Sequence, residues 1–285
     1  MEKAGVQNMC AKRIPPKLVV INDVAGFGHC STAMALPVIS ILGVQACLVP
    51  TAFFSNHMGF PTWYSRDCTE DLPGYLQAWD TLSLQFDGIY VGFLGCDRQI
   101  ELVEDFLKKH PESQVLLDPV LGDHGRTYSS VTASHCEKLR RLLPLSHVIT
   151  PNITEACLLT DTPFQETGWT KEALTDLALR LHALGPKKAV ITGIPYDNCL
   201  LNFYYEADPV FSTGMYSCPV RGQSRPGTGD LFASILAADM QNHIGFPQSV
   251  KRAADFVGTC IAGSEALKIP VCEGVCFENY LKELL

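Results

Sequence analysis

The 285-residue sequence predicts an α/β fold, with a central, mostly parallel sheet covered by helices on both faces. Three observations point there. Apolar runs of strand length alternate with segments of helical period. No linker, low-complexity run or repeat divides the chain. A glycine-loosened turn, Gly227-Thr228-Gly229-Asp230, feeds an apolar helix.

Strands of a parallel sheet are buried on both sides, so they read as continuous apolar runs. Such runs predict strands at Leu18–Ile21, Gln45–Val49, Gly88–Gly92, Val115–Asp118, Val148–Thr150 and Ala189–Thr192. Helical spacing between them predicts helices at Ser31–Leu42, Glu70–Leu82, Arg98–Lys109, Ser134–Leu143, Thr154–Thr160 and Lys171–Leu184. The texture then changes, and Cys199–Glu206 with Val210–Ser217 reads as an antiparallel hairpin. Phe203, Tyr204 and Tyr205 there read as strand core or sheet surface, not as a platform for stacked bases. Helices are predicted again at Leu231–Asn242, Gln248–Leu267 and Glu278–Leu285, and Asp239 and Asp255 on them read as solvated. Residues 1–15 are expected to form a loose tail and 16–285 a single domain.

Lys and Arg total 22 against 30 Asp and Glu, a net charge of −8. With no basic run, this excludes a nucleic-acid surface. An acidic chain that handles phosphate must take its positive potential locally, from backbone dipoles or a metal ion. The 12 cysteines are scattered without CxxC spacing, and the Cys272/Cys276 pair lacks partner histidines. They read as reduced, mostly buried thiols of a cytoplasmic protein. The segment Met1–Asn8 lacks a signal-peptide core, and the apolar stretch Ala33–Pro50 is interrupted by Pro37, Gly43 and Gln45. No membrane association is expected. Asn152-Ile153-Thr154 fits a glycosylation sequon and is read as incidental.

The turn at Gly227–Asp230 carries the chemistry. Free N–H groups at a helix start, together with the helix dipole, cradle anions. Glycine lets a phosphate approach the backbone, and Asp230 adds a candidate general base beside it. An ordinary capped helix start uses the same residue types. Its context separates the two readings. In an open parallel sheet ligands sit beyond the carboxyl ends of the strands. Those ends here carry Asn22-Asp23 through Gly28-His29, Thr51 through Phe54-Ser55-Asn56-His57, Gly92-Phe93-Leu94-Gly95, Asp118-Pro119-Val120-Leu121-Gly122-Asp123 and Thr150-Pro151-Asn152-Ile153-Thr154-Glu155. His57 is open to two readings, substrate contact or turn cap, and His29 reads as filling the glycine loop.

These motifs, in this order from about Leu18 to the last helix, resemble the ribokinase-like kinases, and within them the pyridoxal kinases. Gly-Thr-Gly-Asp marks the superfamily, while Ser-Asn-His and Asp-Pro-Val-Leu-Gly-Asp point to the vitamin B6 branch. The resemblance implies a three-layer α/β/α fold and ATP-dependent phosphorylation of the 5′-hydroxymethyl group of pyridoxal, pyridoxine or pyridoxamine. Asp230 then matches the base, and Gly227, Thr228 and Gly229 match the anion hole. Asp118 and Glu155 match acidic residues near Mg2+ and the phosphates, with the metal held through water. Thr150 and Asn152 match nucleotide-phosphate contacts, and Thr192 lies near the base and ribose. Asn22, Thr51, His57 and Phe93 fall on the pyridine side, and Gly122–Ser130 matches a mobile flap. The resemblance also implies a homodimer, with a monovalent cation as an optional addition.

Two departures stand out. Asn22-Asp23 replaces the Ser-His of many pyridoxal kinases, and Cys30-Ser31 replaces their Gly-Asn. Both bear on vitamer preference, and Cys30 reads as a buried, inert thiol rather than a group reactive toward an aldehyde. Two alternatives stay open at this point. One is a hydroxymethylpyrimidine kinase of thiamin synthesis, the other a non-catalytic sensor of a vitamer or nucleotide.

Overall fold

The computed structural model describes residues 14–197 and 199–285. The expected N-terminal tail lies almost wholly outside the described residues. Strands β1 (Lys17–Phe27), β2 (Gln45–Asn56), β3 (Ser65–Asp67), β4 (Gly88–Val91) and β5 (Gln114–Leu117) come first. A short hairpin, β6 (Gly122–Asp123) and β7 (Arg126–Thr127), precedes β8 (Val148–Ile149), β9 (Lys188–Tyr196), β10 (Cys199–Ala207) and β11 (Phe211–Pro219). The helices are α1 (Ser31–Ile41), α2 (Leu72–Thr81), α3 (Asp97–Lys109), α4 (Ala133–Arg140), α5 (Ile153–Thr160), α6 (Lys171–Ala183), α7 (Thr228–Gln241) and α8 (Phe246–Ala266).

Nine strands form one sheet in the order β11-β10-β9-β8-β5-β4-β1-β2-β3. Its centre is parallel, from β2 through β1, β4, β5 and β8 to β9. Antiparallel strands close both edges, with β3 on β2 and the β10–β11 hairpin on β9. Alternate residues of each central strand face opposite layers. Val19, Ile21, Ile89, Val91, Val115 and Leu117 pack toward α2–α6. Leu18, Val20, Tyr90, Leu116 and Val190 pack toward α1, α7 and α8. Burying one such aliphatic side chain contributes roughly 1.5–3 kcal/mol, so two full apolar faces hold the sheet between its helices. No helix among the described residues is long and apolar enough to cross a membrane.

The chain leaves β1 toward β2 on one side and returns to β4 on the other. Loops at such a reversal diverge and open a crevice at the strand ends. The register of β1 on β2 shifts there, since Asn22 pairs with Pro50 but Val24 pairs with Phe53. Asp23 sits opposite this irregularity, which re-aims the side chains around it.

Two expectations need correction. The helix expected at Glu278–Leu285 is only a short 3-10 turn at Leu281–Leu284, after another at Val271–Glu273. Gly274, at φ 83, breaks the path, and Arg225 holds the carbonyls of Ile269, Pro270 and Gly274 in a loop. Asp239 is not solvated. It is fully buried, where Ser249 and Arg252 donate to it at 2.9 and 2.7 Å. Asp255 is exposed as expected and pairs with Lys251 at 2.6 Å.

Candidate active site

Helix α7 begins at Thr228 after Gly227, whose φ of 83 lies in the left-handed region. A Cβ at Gly227 would sit 1.9 Å from the His29 carbonyl oxygen, so only glycine fits. The first intrahelical bond runs from the Leu231 N–H to the Gly227 carbonyl. Among the described residues no partner is shown for the N–H groups of Thr228, Gly229 and Asp230, the donors that a first helical turn leaves open. A Cβ at Gly229 would lie 3.9 Å from Asp118 Oδ2, so the turn and the end of β5 face each other across the crevice.

Asp230 projects from this first turn, half-buried. Burial raises its carboxyl above the ordinary range, and the Ser31 backbone N–H, the Asn22 carboxamide and His57 pull it back. Asn22 Nδ2 donates to Asp230 Oδ1 at 3.2 Å. Two further carboxylates share the neighbourhood. Burial pushes Asp23 up to about 7, opposed by the Ser31 hydroxyl and reinforced by Asp230. Burial, reinforced by Asp230, likewise pushes Asp118 up to about 7, opposed by the Thr150 hydroxyl, which donates to Oδ1 at 2.8 Å. Ser31 adopts φ 53, a strained backbone for a residue with a side chain, and it serves both Asp23 and Asp230.

The predicted residues divide into two groups. Asp230, the glycine turn, Asp118 and Thr150 converge on one crevice, with Asn22 tied to Asp230. Thr51 is fully buried and gives its hydroxyl to the Phe93 carbonyl at 2.9 Å, so it supports the Phe93 segment from behind. The Phe93 ring stands edge-on to Phe54 with centroids 6.0 Å apart. His57 accepts at Nδ1 from the Gly59 N–H at 3.1 Å, which leaves Nε2–H to donate to the Cys272 carbonyl at 2.7 Å. It caps a turn and holds the C-terminal loop. Both Glu155 oxygens are engaged, Oε1 by the Leu121 N–H at 3.1 Å and Oε2 by the Asn152 N–H at 2.8 Å. With the Asn152 side chain on the Glu155 N–H this makes a capping box at the start of α5. Burial, reinforced by Asp118, raises the Glu155 carboxyl. Thr192 follows on β9 and donates its N–H to the Pro151 carbonyl at 2.9 Å.

The β6–β7 hairpin hangs from this cap, since Asn152 Nδ2 donates to the Gly122 carbonyl at 2.8 Å and Thr154 Oγ1 accepts from the Gly125 N–H at 2.9 Å. A hollow of about 700 Å3 is lined by Asp123, His124, Arg126, Tyr128, Phe164 and Glu166. It contains neither Asp230 nor the glycine turn. Among the described residues no three His, Cys, Asp or Glu side chains converge as a metal cage. The donor set nonetheless suits Mg2+ held largely by water and phosphate, because Asp118 keeps Oδ2 free toward the turn while Thr150 occupies Oδ1. Cys30 is buried, and burial with nearby Asp230 and Asp23 drives its thiol far up, which makes it inert.

Two contributors, Gln99 and Arg225, escaped sequence reasoning. Gln99 is fully buried and donates to the Thr51 carbonyl at 2.8 Å, bracing β2 against α3. His29, read from the sequence as filling the glycine loop, also bonds outward: its Nε2 lies 2.9 Å from the Glu278 carboxylate and its Nδ1 2.7 Å from the Glu273 carbonyl, both acceptors. Arg225 ties the glycine turn to the C-terminal loop. Its position two residues before Gly227 was the one available signal.

Comparison with known proteins places this geometry among relatives. A family model described as phosphomethylpyrimidine kinase matches residues 77–273. A pyridoxine/pyridoxal/pyridoxamine kinase of Bordetella avium is 28% identical over 261 residues, covering 86% of this chain and 84% of its own. A crystal structure from Bacteroides thetaiotaomicron, described as a candidate phosphomethylpyrimidine kinase in a form with pyridoxal, superposes with a TM-score of 0.91 at 33% identity. That match covers 95% of this chain and 96% of the other. Pyridoxal kinase from Lactobacillus plantarum superposes with a TM-score of 0.88 at 25% identity, over 95% of this chain and 96% of its own.

Proposed function

The chain belongs to the phosphomethylpyrimidine kinase family of the ribokinase-like superfamily, and from that premise we propose that it transfers the γ-phosphoryl group of ATP to the 5′-hydroxymethyl group of a vitamin B6 vitamer. The observation that carries the reading is Asp230, held by Asn22 in the first turn of a helix whose N-cap, Gly227, makes no side-chain hydrogen bond. The similarity to kinases of pyridoxal from Bordetella and Lactobacillus supports the substrate class.

The residues divide the work. Asp230 accepts the hydroxyl proton as the alcohol oxygen attacks phosphorus. The N–H groups of the Gly227–Gly229 turn face the charge that develops on the transferring group. Asp118, and more distantly Glu155, supply the acidic side of the phosphate site, with Thr150, Asn152 and Thr192 along the nucleotide. Mg2+, when bound through water near Asp118, would neutralise phosphate charge. Phe93 and Phe54 offer an aromatic wall to the pyridine ring, braced by Thr51. The β6–β7 hairpin is the segment placed to exclude water from the site. A cytoplasmic location, a homodimer and a monovalent cation requirement belong to the same proposal and rest on family resemblance.

The family's description favours one second reading, a hydroxymethylpyrimidine kinase. Against it, the Bacteroides relative carrying that name was crystallised with pyridoxal. The test of the base is Asp230→Asn. Turnover is expected to collapse by a factor of about 10³ or more while ATP binding measured by calorimetry persists. Turnover within tenfold of the unaltered chain would overturn the assignment.

A further inference from the structure

Asn22 is 1% exposed and lies where β1 leaves the core. Its Oδ1 accepts two backbone N–H groups, from Asp23 at 3.0 Å and from Phe93 at 2.9 Å. An oxygen facing two donors cannot be exchanged for the NH2 group, so the amide has one orientation. Nδ2 therefore points at Asp230 Oδ1. The fit requires glycine just past the end of the neighbouring strand β4, since a Cβ at Gly92 would lie 2.7 Å from Asn22 Cγ. The Phe93 peptide is held at both ends, its N–H by Asn22 and its carbonyl by Thr51. The carboxamide thus has little left to offer a ligand, although its position beside the crevice suggested substrate contact.

We propose that Asn22 is a positioning residue that ties the Gly92–Phe93 segment to Asp230 and turns one carboxylate oxygen inward, leaving the other for the substrate hydroxyl. The inference rests on the reading of Asp230 as the base. Asp23 on β1, Asp118 after β5, His57 after β2 and Tyr90 on β4 also face this carboxylate electrostatically, and none of them is shown bonding it. Among the described residues, only Asn22 does so with its side chain.

The test is a double-mutant cycle read by single-turnover ADP formation with each alcohol, alongside kcat and KM. Asn22→Ala removes the donor but strands two buried N–H groups. Asn22→Asp keeps their acceptor and the side-chain shape but sets a second buried carboxylate against Asp230, so a thermal midpoint taken for each variant separates misfolding from loss of the donor. Both are expected to lower kcat by about 10- to 100-fold, the range for losing one hydrogen bond to a charged group, with KM for ATP unchanged. In the Asp230→Asn background the further loss from Asn22→Ala should fall below about twofold. A rise in KM for the alcohol at unchanged kcat would make Asn22 a substrate contact and overturn the proposal. An equal loss in both backgrounds would make it purely structural and overturn it too. An unaltered chain inactive on every alcohol would remove the base assignment and this inference with it.

Discussion

Asp230 acquires its environment from residues far away in sequence. Its carboxamide partner lies 208 positions earlier, and the glycine before its helix presses on the His29 carbonyl. The anion-binding turn was legible because glycine, threonine and aspartate at a helix start have a local physical meaning. The role of Asn22 was not, because a polar residue at a strand end announces no partner. The same blindness made Asp239 look solvated, when Arg252 and Ser249 neutralise it inside the protein. A testable consequence concerns Gly227→Ala. The positive φ and the 1.9 Å approach leave no space for a methyl group, so the turn must shift. A loss of stability of at least about 2 kcal/mol in denaturant unfolding is expected, with kinase turnover lost as well. Full stability in this variant would show that the turn adopts another conformation.

At the scale of elements, α5 and the β6–β7 hairpin act as one unit. The Asn152–Glu155 capping box starts the helix, and the same two side chains reach Gly122 and Leu121 at the root of the hairpin. Asn152→Ala should lower stability by about 1–2 kcal/mol through loss of the cap, read as a drop in thermal midpoint. It should also slow turnover, because the hairpin loses its anchor. A full cap loss with unchanged kcat would uncouple the two. The long central strands and helices were readable because their apolar residues recur with a clear period. β3, β6 and β7 were not, since Ser65-Arg66-Asp67, Gly122-Asp123 and Arg126-Thr127 contain no apolar residue to mark a strand. The helix expected at Glu278–Leu285 was overread, since Gly274 and the Arg225 contacts hold the preceding segment in a loop.

Across the whole molecule, the sheet reversal gathers acidic groups from β1, β5 and α7 into one crevice, and the protein carries a stability cost for it. Asp23 is buried, with a carboxyl raised from 3.8 to about 7, mainly by burial. Between those values the folded chain holds a proton that the unfolded chain releases. The cost is therefore absent below about pH 4, grows as the unfolded chain ionises, and is complete once pH has risen through about 7. Asp23→Asn should raise the thermal midpoint at pH 8, by stability on the order of 2 kcal/mol, and change little at pH 4. An equal shift at both values would mean that charge is not the cause. Such a concentration of poorly compensated carboxylates suits a site that receives a metal–nucleotide complex.

The most direct measurement is ADP release with Mg-ATP and pyridoxal, pyridoxine, pyridoxamine and hydroxymethylpyrimidine side by side, with product mass determined. The account predicts turnover on at least one B6 vitamer and a product heavier by one phosphoryl group. Turnover on the pyrimidine alone, or on none of the four, would contradict it.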